Sequence, residues 1–179
     1  MGGDDADGIP LATGSRYNPT ADTWLTMTLT NAPTARSSFS MTWAGTRVMI
    51  WGGYDVDGNP ANTGALYDSA ADTFVSTAGL NAPVGRGAHS AIWTGTEVIV
   101  WGGYDGSAYA ASGGRYDPAV DSWAATAALL APEPRIAHAA VWTGTAMAVW
   151  GGGDINGAPL GTGGLYNPVA DSWSAITLT

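Results

Sequence analysis

Polar and apolar residues alternate along Ser38-Phe39-Ser40-Met41-Thr42-Trp43, the pattern of a strand with one exposed face. A turn at Ala44-Gly45-Thr46 follows. Val48-Met49-Ile50-Trp51 then runs apolar without a break, as a strand covered on both faces does. A loop rich in Gly and Asp leads to a third strand that ends at Leu66-Tyr67, and Asp68-Ser69-Ala70-Ala71-Asp72 turns the chain again. Trp24-Leu25-Thr26-Met27-Thr28-Leu29 alternates once more and marks a fourth strand that begins at an aromatic residue. No segment carries helical period, and Pro or Gly interrupts the chain about every 8–12 residues.

This four-strand unit recurs. Trp51, Trp101 and Trp150 are spaced by 50 and 49 residues, and each precedes Gly-Gly. Arg36, Arg86 and Arg135 keep the same spacing, as do Trp43, Trp93 and Trp142. Tyr17, Tyr67, Tyr116 and Tyr166 extend the series toward the N-terminus, with Trp24, Phe74, Trp123 and Trp173. All nine Trp fall in three columns, and Phe74 fills the one gap. Antiparallel four-stranded units repeated at this period pack radially as β-propeller blades. The expected fold is therefore all-β. A half repeat spans 1–35, with strands three and four only, and full repeats span 36–85, 86–134 and 135–179. Met1 falls in the Trp column, so the chain starts at the end of a second strand, as if cut inside a longer propeller, natural or engineered. Such an incomplete propeller, about three and a half blades, leaves two apolar flanks open. The expected remedy is oligomerisation, most simply a homodimer ring of about seven blades.

Composition narrows the function. Charged residues are only 12% of the 179, and the net charge is −9; all six cations are Arg. An acidic surface repels phosphate backbones, which argues against nucleic-acid binding. No apolar run approaches the ~20 residues of a membrane helix, and no signal peptide is visible at Met-Gly-Gly-Asp-Asp. With no Cys there is no thiolate nucleophile, disulfide or thiolate metal site. His89 and His138 share one column, which Phe39 also occupies, so the column reads as packing, with no metal and no general base. Asp22, Asp72, Asp121 and Asp171 stand two residues before the aromatic in every copy and are expected to bond turn amides. Four copies are not what catalysis requires. No cofactor is expected.

The residue pattern resembles the kelch repeat. The matching features are Arg86 before the first strand, Gly102-Gly103 after the second, Tyr116-Asp117-Pro118 closing the third and Trp123 opening the fourth; Arg135, Gly151-Gly152, Tyr166-Asn167-Pro168 and Trp173 repeat them. Ser69 and Phe74 depart from the pattern in one copy. The Trp-Gly-Gly and Trp-Thr-Gly-Thr variants look like kelch-type repeats of bacterial surface or secreted proteins, which implies an extracellular or cell-surface place. The resemblance also implies an innermost first strand, with the loop before it and the loop after Gly-Gly on one face at the channel mouth. That face commonly binds a partner in such propellers, here a protein or a glycan. Arg36, Arg86 and Arg135 would then reach acidic groups of a ligand, with Tyr54, Asp55, Tyr104, Asp105 and Asp154 from the variable loops beside them. The competing expectation is that each Arg pairs with a loop carboxylate of its own or a neighbouring blade. Asp-x-Asp/Asn-Gly in these loops is shared with the start of calcium loops, but no copy has the later acidic ligand, and an Asp-Gly turn is the simpler reading. Some kelch-like propellers carry a copper-radical oxidase site of the galactose-oxidase type. That chemistry needs a Cys–Tyr crosslink and several His, which this chain does not supply. A non-catalytic scaffold or binding module is expected, with a purely structural propeller piece as the other reading.

Overall fold

In a computed structural model of the chain, residues 1–176 are described and fold into fourteen strands with no helix among them. They are β1 (Ser15–Asn18), β2 (Thr23–Thr26), β3 (Ser40–Ala44), β4 (Arg47–Trp51), β5 (Gly64–Asp68), β6 (Thr73–Ser76), β7 (Ser90–Trp93), β8 (Val98–Trp101), β9 (Gly113–Asp117), β10 (Ser122–Ala125), β11 (Ala139–Trp142), β12 (Met147–Trp150), β13 (Gly163–Asn167) and β14 (Ser172–Ala175). The expected continuation to Thr179 lies outside the described residues. Each group β3–β6, β7–β10 and β11–β14 is a four-stranded antiparallel meander, called here blades A, B and C; β1 and β2 form a two-stranded half-blade. Register runs through the repeat columns: Trp93 faces Val98, Val98 faces Tyr116, and Tyr116 faces Trp123.

The fourth strand is shorter than its alternation predicts. β2 stops at Thr26 rather than Leu29, because the Thr28 amide leaves its own sheet and donates to the Asp72 carboxylate of blade A at 3.2 Å.

Blades meet face to face. Between A and B, Met49, Trp51 and Leu66 close on Val98, Val100, Tyr116 and Trp123. Between B and C, Ile92, Ile99 and Trp101 close on Met147, Val149, Tyr166 and Trp173. Trp101 wedges in that joint, fully buried, with ring centroids 5.1 Å from Trp173 and 5.4 Å from His138. Polar links repeat at each joint. Trp123 Nε1 donates to Ala78 O and Trp173 Nε1 to Ala127 O. Thr42 Oγ1 donates to Ala91 O, which sets the first strands of A and B side by side at the inner rim.

The Gly-Gly pair answers two steric demands. Gly102 has φ +70° and a Cβ there would lie 2.5 Å from His138 Cε1; Gly103 has φ +97° and a Cβ would lie 2.7 Å from Gly87 O. Both are contacts with a first-strand segment, so only glycine lets it approach the end of the second strand so closely.

The two outer flanks are open. On blade C, Trp150 is 36% exposed and Val141 60%, whereas Trp101 and Ile92 in the same columns are buried. On the half-blade, Trp24 is 69% exposed, whereas Trp123 and Trp173 are buried. Met41 and Trp43 of β3 are also exposed, beside a small apolar hollow of about 140 Å³ lined by Met1, Met27, Met41, Val48, Ile50 and Tyr67.

Candidate functional site

The loop before each first strand and the loop after each Gly-Gly pair lie together on one face. Isolated bridges tie them: Ser37 to Tyr54, Gly87 to Tyr104 and Ile136 to Gly153. The candidate residues of both loops are therefore neighbours, as the repeat reading expects.

The three arginines, however, do not point at a channel mouth. Arg86 is buried, and its guanidinium is taken up by main-chain acceptors: Nε donates to Val84 O at 2.9 Å, and Nη1 to Gly102 O at 3.1 Å and Ser112 O at 2.8 Å. Arg36 does the same with Thr34 O, Gly52 O and Thr63 O, and Arg135 with Glu133 O, Gly151 O and Thr162 O. The pairing expectation is corrected: the buried guanidiniums are turned to main-chain carbonyls, and carboxylates are not their main partners; of the three, Arg135 alone meets one, Glu133 at 3.6 Å. The physical reason is that the two ends of the long loop between second and third strands turn carbonyls inward whose accepting capacity the backbone leaves unfilled, Thr63, Ser112 and Thr162 each taking a single main-chain amide, and one planar five-donor group serves several at once. Burial lowers all three guanidinium pKa values from the ordinary arginine value, opposed by the fields of Asp55, Asp105 and Glu133 respectively.

The loop aspartates hold their own turns. Asp55 Oδ1 accepts from the amides of Asp57 and Asn59, Asp105 Oδ1 from Ser107 and Ala108, and Asp154 Oδ1 from Asn156 and Ala158. Those amide donors hold the three carboxyl pKa values below the ordinary range. Tyr54 spans a joint, its hydroxyl donating to Tyr104 O at 2.9 Å, whereas the Tyr104 hydroxyl donates to Gly106 O in its own loop. Among the described residues no three His, Cys, Asp or Glu side chains cluster as metal ligands would.

The second aspartate column has a different role from the expected one. Asp121 accepts from the Tyr116 hydroxyl at 2.6 Å and from the Ala78 amide of the preceding blade at 2.7 Å. Asp72 and Asp171 make the equivalent pairs with Tyr67 and Thr28, and with Tyr166 and Ala127. The turn amides are bonded instead by Asn18, Asp68, Asp117 and Asn167. Positive φ at Asp72 and Asp121, 55° and 49°, turns the carboxylate back toward the joint.

The histidine column packs, and it also links blades: His89 Nε2 shares a hydrogen bond with Ser40 Oγ at 2.9 Å and His138 Nε2 with Ser90 Oγ at 2.8 Å. Burial, helped by the adjacent Arg86 and Arg135, pushes the His89 pKa down to about 3 and the His138 pKa down to about 4. A depressed histidine stays neutral in the fold while the unfolded chain takes up a proton near pH 6.5, so stability falls as pH drops from about 6.5 toward 4. The loss amounts to about 3 kcal/mol per histidine by pH 4. Urea unfolding at several pH values is expected to show this slope. His89→Phe, which installs the residue present at position 39, should remove about half of it.

One feature of this face escaped the repeat reading. A cleft of about 410 Å³ opens between the loops of B and C, lined by Ser107, Ala108, Tyr109, Glu133, Pro134, Asp154 and Ile155. Tyr109, Glu133 and Pro134 have no counterpart of the same type in the other full blades, where Pro60, Thr34 and Val84, Ala35 and Gly85 stand, and Ile155 stands where blade B has Gly106. Departure from a column was the signal that could have found it.

A radial stack of four-stranded antiparallel blades, bolted by a buried Arg and closed by Gly-Gly, defines a kelch-type propeller array. The chain belongs to the kelch-repeat family: the family model for the KLHDC2/KLHL20/DRC7 Kelch-repeats domain matches residues 1–179. Kelch domains of this family are generally non-catalytic and serve as propeller binding or scaffold modules. No curated protein matches the chain.

Proposed function

We propose that the chain is a non-catalytic module that joins a second copy of itself through its flanks and presents the loop face to a protein or glycan ligand. One observation carries the assembly reading. The two open flanks carry the outer-strand columns of a joint that the chain already builds twice, although the half-blade lacks the second-strand columns of Val98 and Val100. Blade C offers Val141, Trp150 and Leu165, the columns by which blade A meets blade B through Leu66 and Trp51; the half-blade offers Tyr17 and Trp24, the columns by which blade B answers with Tyr116 and Trp123. Aromatic columns left bare on a repeat end mark an interface. A heterologous contact of this kind closes a ring if the rotation allows. Tyr54, Asp55, Tyr104, Asp105 and Asp154 remain the loop-face residues proposed to contact ligand, with Arg36, Arg86 and Arg135 holding the loops from beneath.

The test is a charge placed on the flank. Val141→Glu is expected to yield a folded single chain where the unaltered protein gives a two-chain particle, and Val169→Glu, in an exposed turn, is expected to change nothing. A Val141→Glu protein with unchanged native mass contradicts the assembly reading.

A further inference from the structure

The loop face is not equivalent from joint to joint, and the difference is physical. Between blades A and B the loops close on each other. A Cβ at Gly85 would lie 2.3 Å from Pro60 O, and a Cβ at Gly106 would lie 3.2 Å from Pro60 Cγ. Those two glycines let Pro60 settle into the joint. Between B and C the same positions are Pro134 and Ile155, larger side chains where the glycines stood, and Tyr109 replaces the proline. The cleft of about 410 Å³ is the result.

What lines it is chemically consistent. Glu133 and Asp154 contribute two carboxylates and the lining includes no cation. Glu133 Oε1 accepts from Thr162 Oγ1 at 2.9 Å, and Asp154 holds its turn through Oδ1, so each keeps an oxygen turned to little else: Oε2 of Glu133, and Oδ2 of Asp154 with only a 3.5 Å contact from Asn156 Nδ2. Arg135 meets Glu133 Oε1 at 3.6 Å, but its donors are directed at three carbonyls and the Thr162 hydroxyl. Tyr109 stands edge-on to Tyr104, ring centroids 5.6 Å apart, and forms one wall with Ala108, Pro134 and the exposed Ile155. An aromatic face, aliphatic walls and two carboxylate oxygens with at most one weak donor suit a flexible apolar stem that ends in a positive charge.

Resting on the loop-face reading above, we propose that the cleft between blades B and C receives the lysine or arginine side chain of a basic peptide. The protein's own charge of −9 draws such a peptide in over longer range, and the carboxylates fix its cation while Tyr109 packs the stem.

The repeat itself supplies the controls. Val84 and Pro60 occupy the columns of Glu133 and Tyr109 in folded joints of the same protein, so Glu133→Val and Tyr109→Pro are expected to fold. The experiment is a titration followed by ¹H–¹⁵N correlation spectra, with an amidated triarginine peptide, a triglutamate peptide and a neutral oligosaccharide as separate probes. Triarginine is expected to shift the amides of residues 107–109 and 154–155 in a saturable way, with affinity that falls as salt rises. Each variant should weaken it about tenfold. Triarginine shifts that Glu133→Val and Tyr109→Pro both leave unchanged overturn the assignment. Triglutamate or the oligosaccharide shifting these loops, with triarginine silent, overturns the cation reading and leaves the loop-face reading standing. Silence from all three probes counts against both.

Discussion

Replacing Arg86 by Ala is expected to destabilise the protein by about 3–5 kcal/mol, read as a drop in the urea midpoint with little change in slope. The side chain is buried, and its removal strands the carbonyls of Val84 and Gly102 in the interior and leaves Ser112 O with only the Gly102 amide. Each lost charge-assisted bond counts for about 1.5–3 kcal/mol, but one water can enter the hole and recover part of that sum. Arg86→Lys should recover only part of the loss, because an ammonium cannot reach all three acceptors in the plane that the guanidinium fills. A ligand-contact arginine at an open mouth would behave oppositely: its substitution would leave stability nearly unchanged. An Arg86→Ala protein within about 0.5 kcal/mol of the unaltered chain would therefore refute the structural role.

Trp101→Ala is expected to cost about 3–5 kcal/mol. The ring is fully buried in the B–C joint, and its Nε1 has no partner, so the loss is packing against Trp173, His138 and Met147. Trp150 occupies the same column one blade further on, at the open flank. In the separated chain Trp150→Ala should cost less, about 2 kcal/mol, because the ring is 36% exposed and that part of its surface already meets water. In the two-chain particle the same substitution should cost assembly instead, seen as a melting temperature that no longer rises with protein concentration. Equal costs at the two positions under dilute conditions would contradict the account of the flanks.

The sequence made the columns legible because repetition exposes them: nine Trp in three columns cannot be mistaken for loops, and the strands fall where alternation and turns put them. It was poorer at assigning each column a partner. Arg86 was expected to meet a carboxylate or a ligand because side chains are what a sequence spells out. Its actual partners are the carbonyls of Gly102 and Ser112, which every residue carries and no pattern reveals. Asp72 was expected at its own turn; a φ of 55° turns it to Tyr67 and across the joint to Thr28 instead. The histidine column was rightly a packing position, yet its bond to the serine of the preceding blade depends on two strands being adjacent at the inner rim. The B–C cleft was invisible for another reason. It comes from departures at Tyr109, Glu133, Pro134 and Ile155, and a search for repetition averages such departures away.

The central claim is that the half-blade flank and the blade C flank are two sides of one joint, closed by a second copy of this chain. Sedimentation equilibrium from micromolar to nanomolar protein, with circular dichroism on the same samples, tests it most directly. A folded two-chain particle at micromolar protein that separates into folded single chains toward nanomolar is the predicted result. A single-chain mass at every concentration would contradict it.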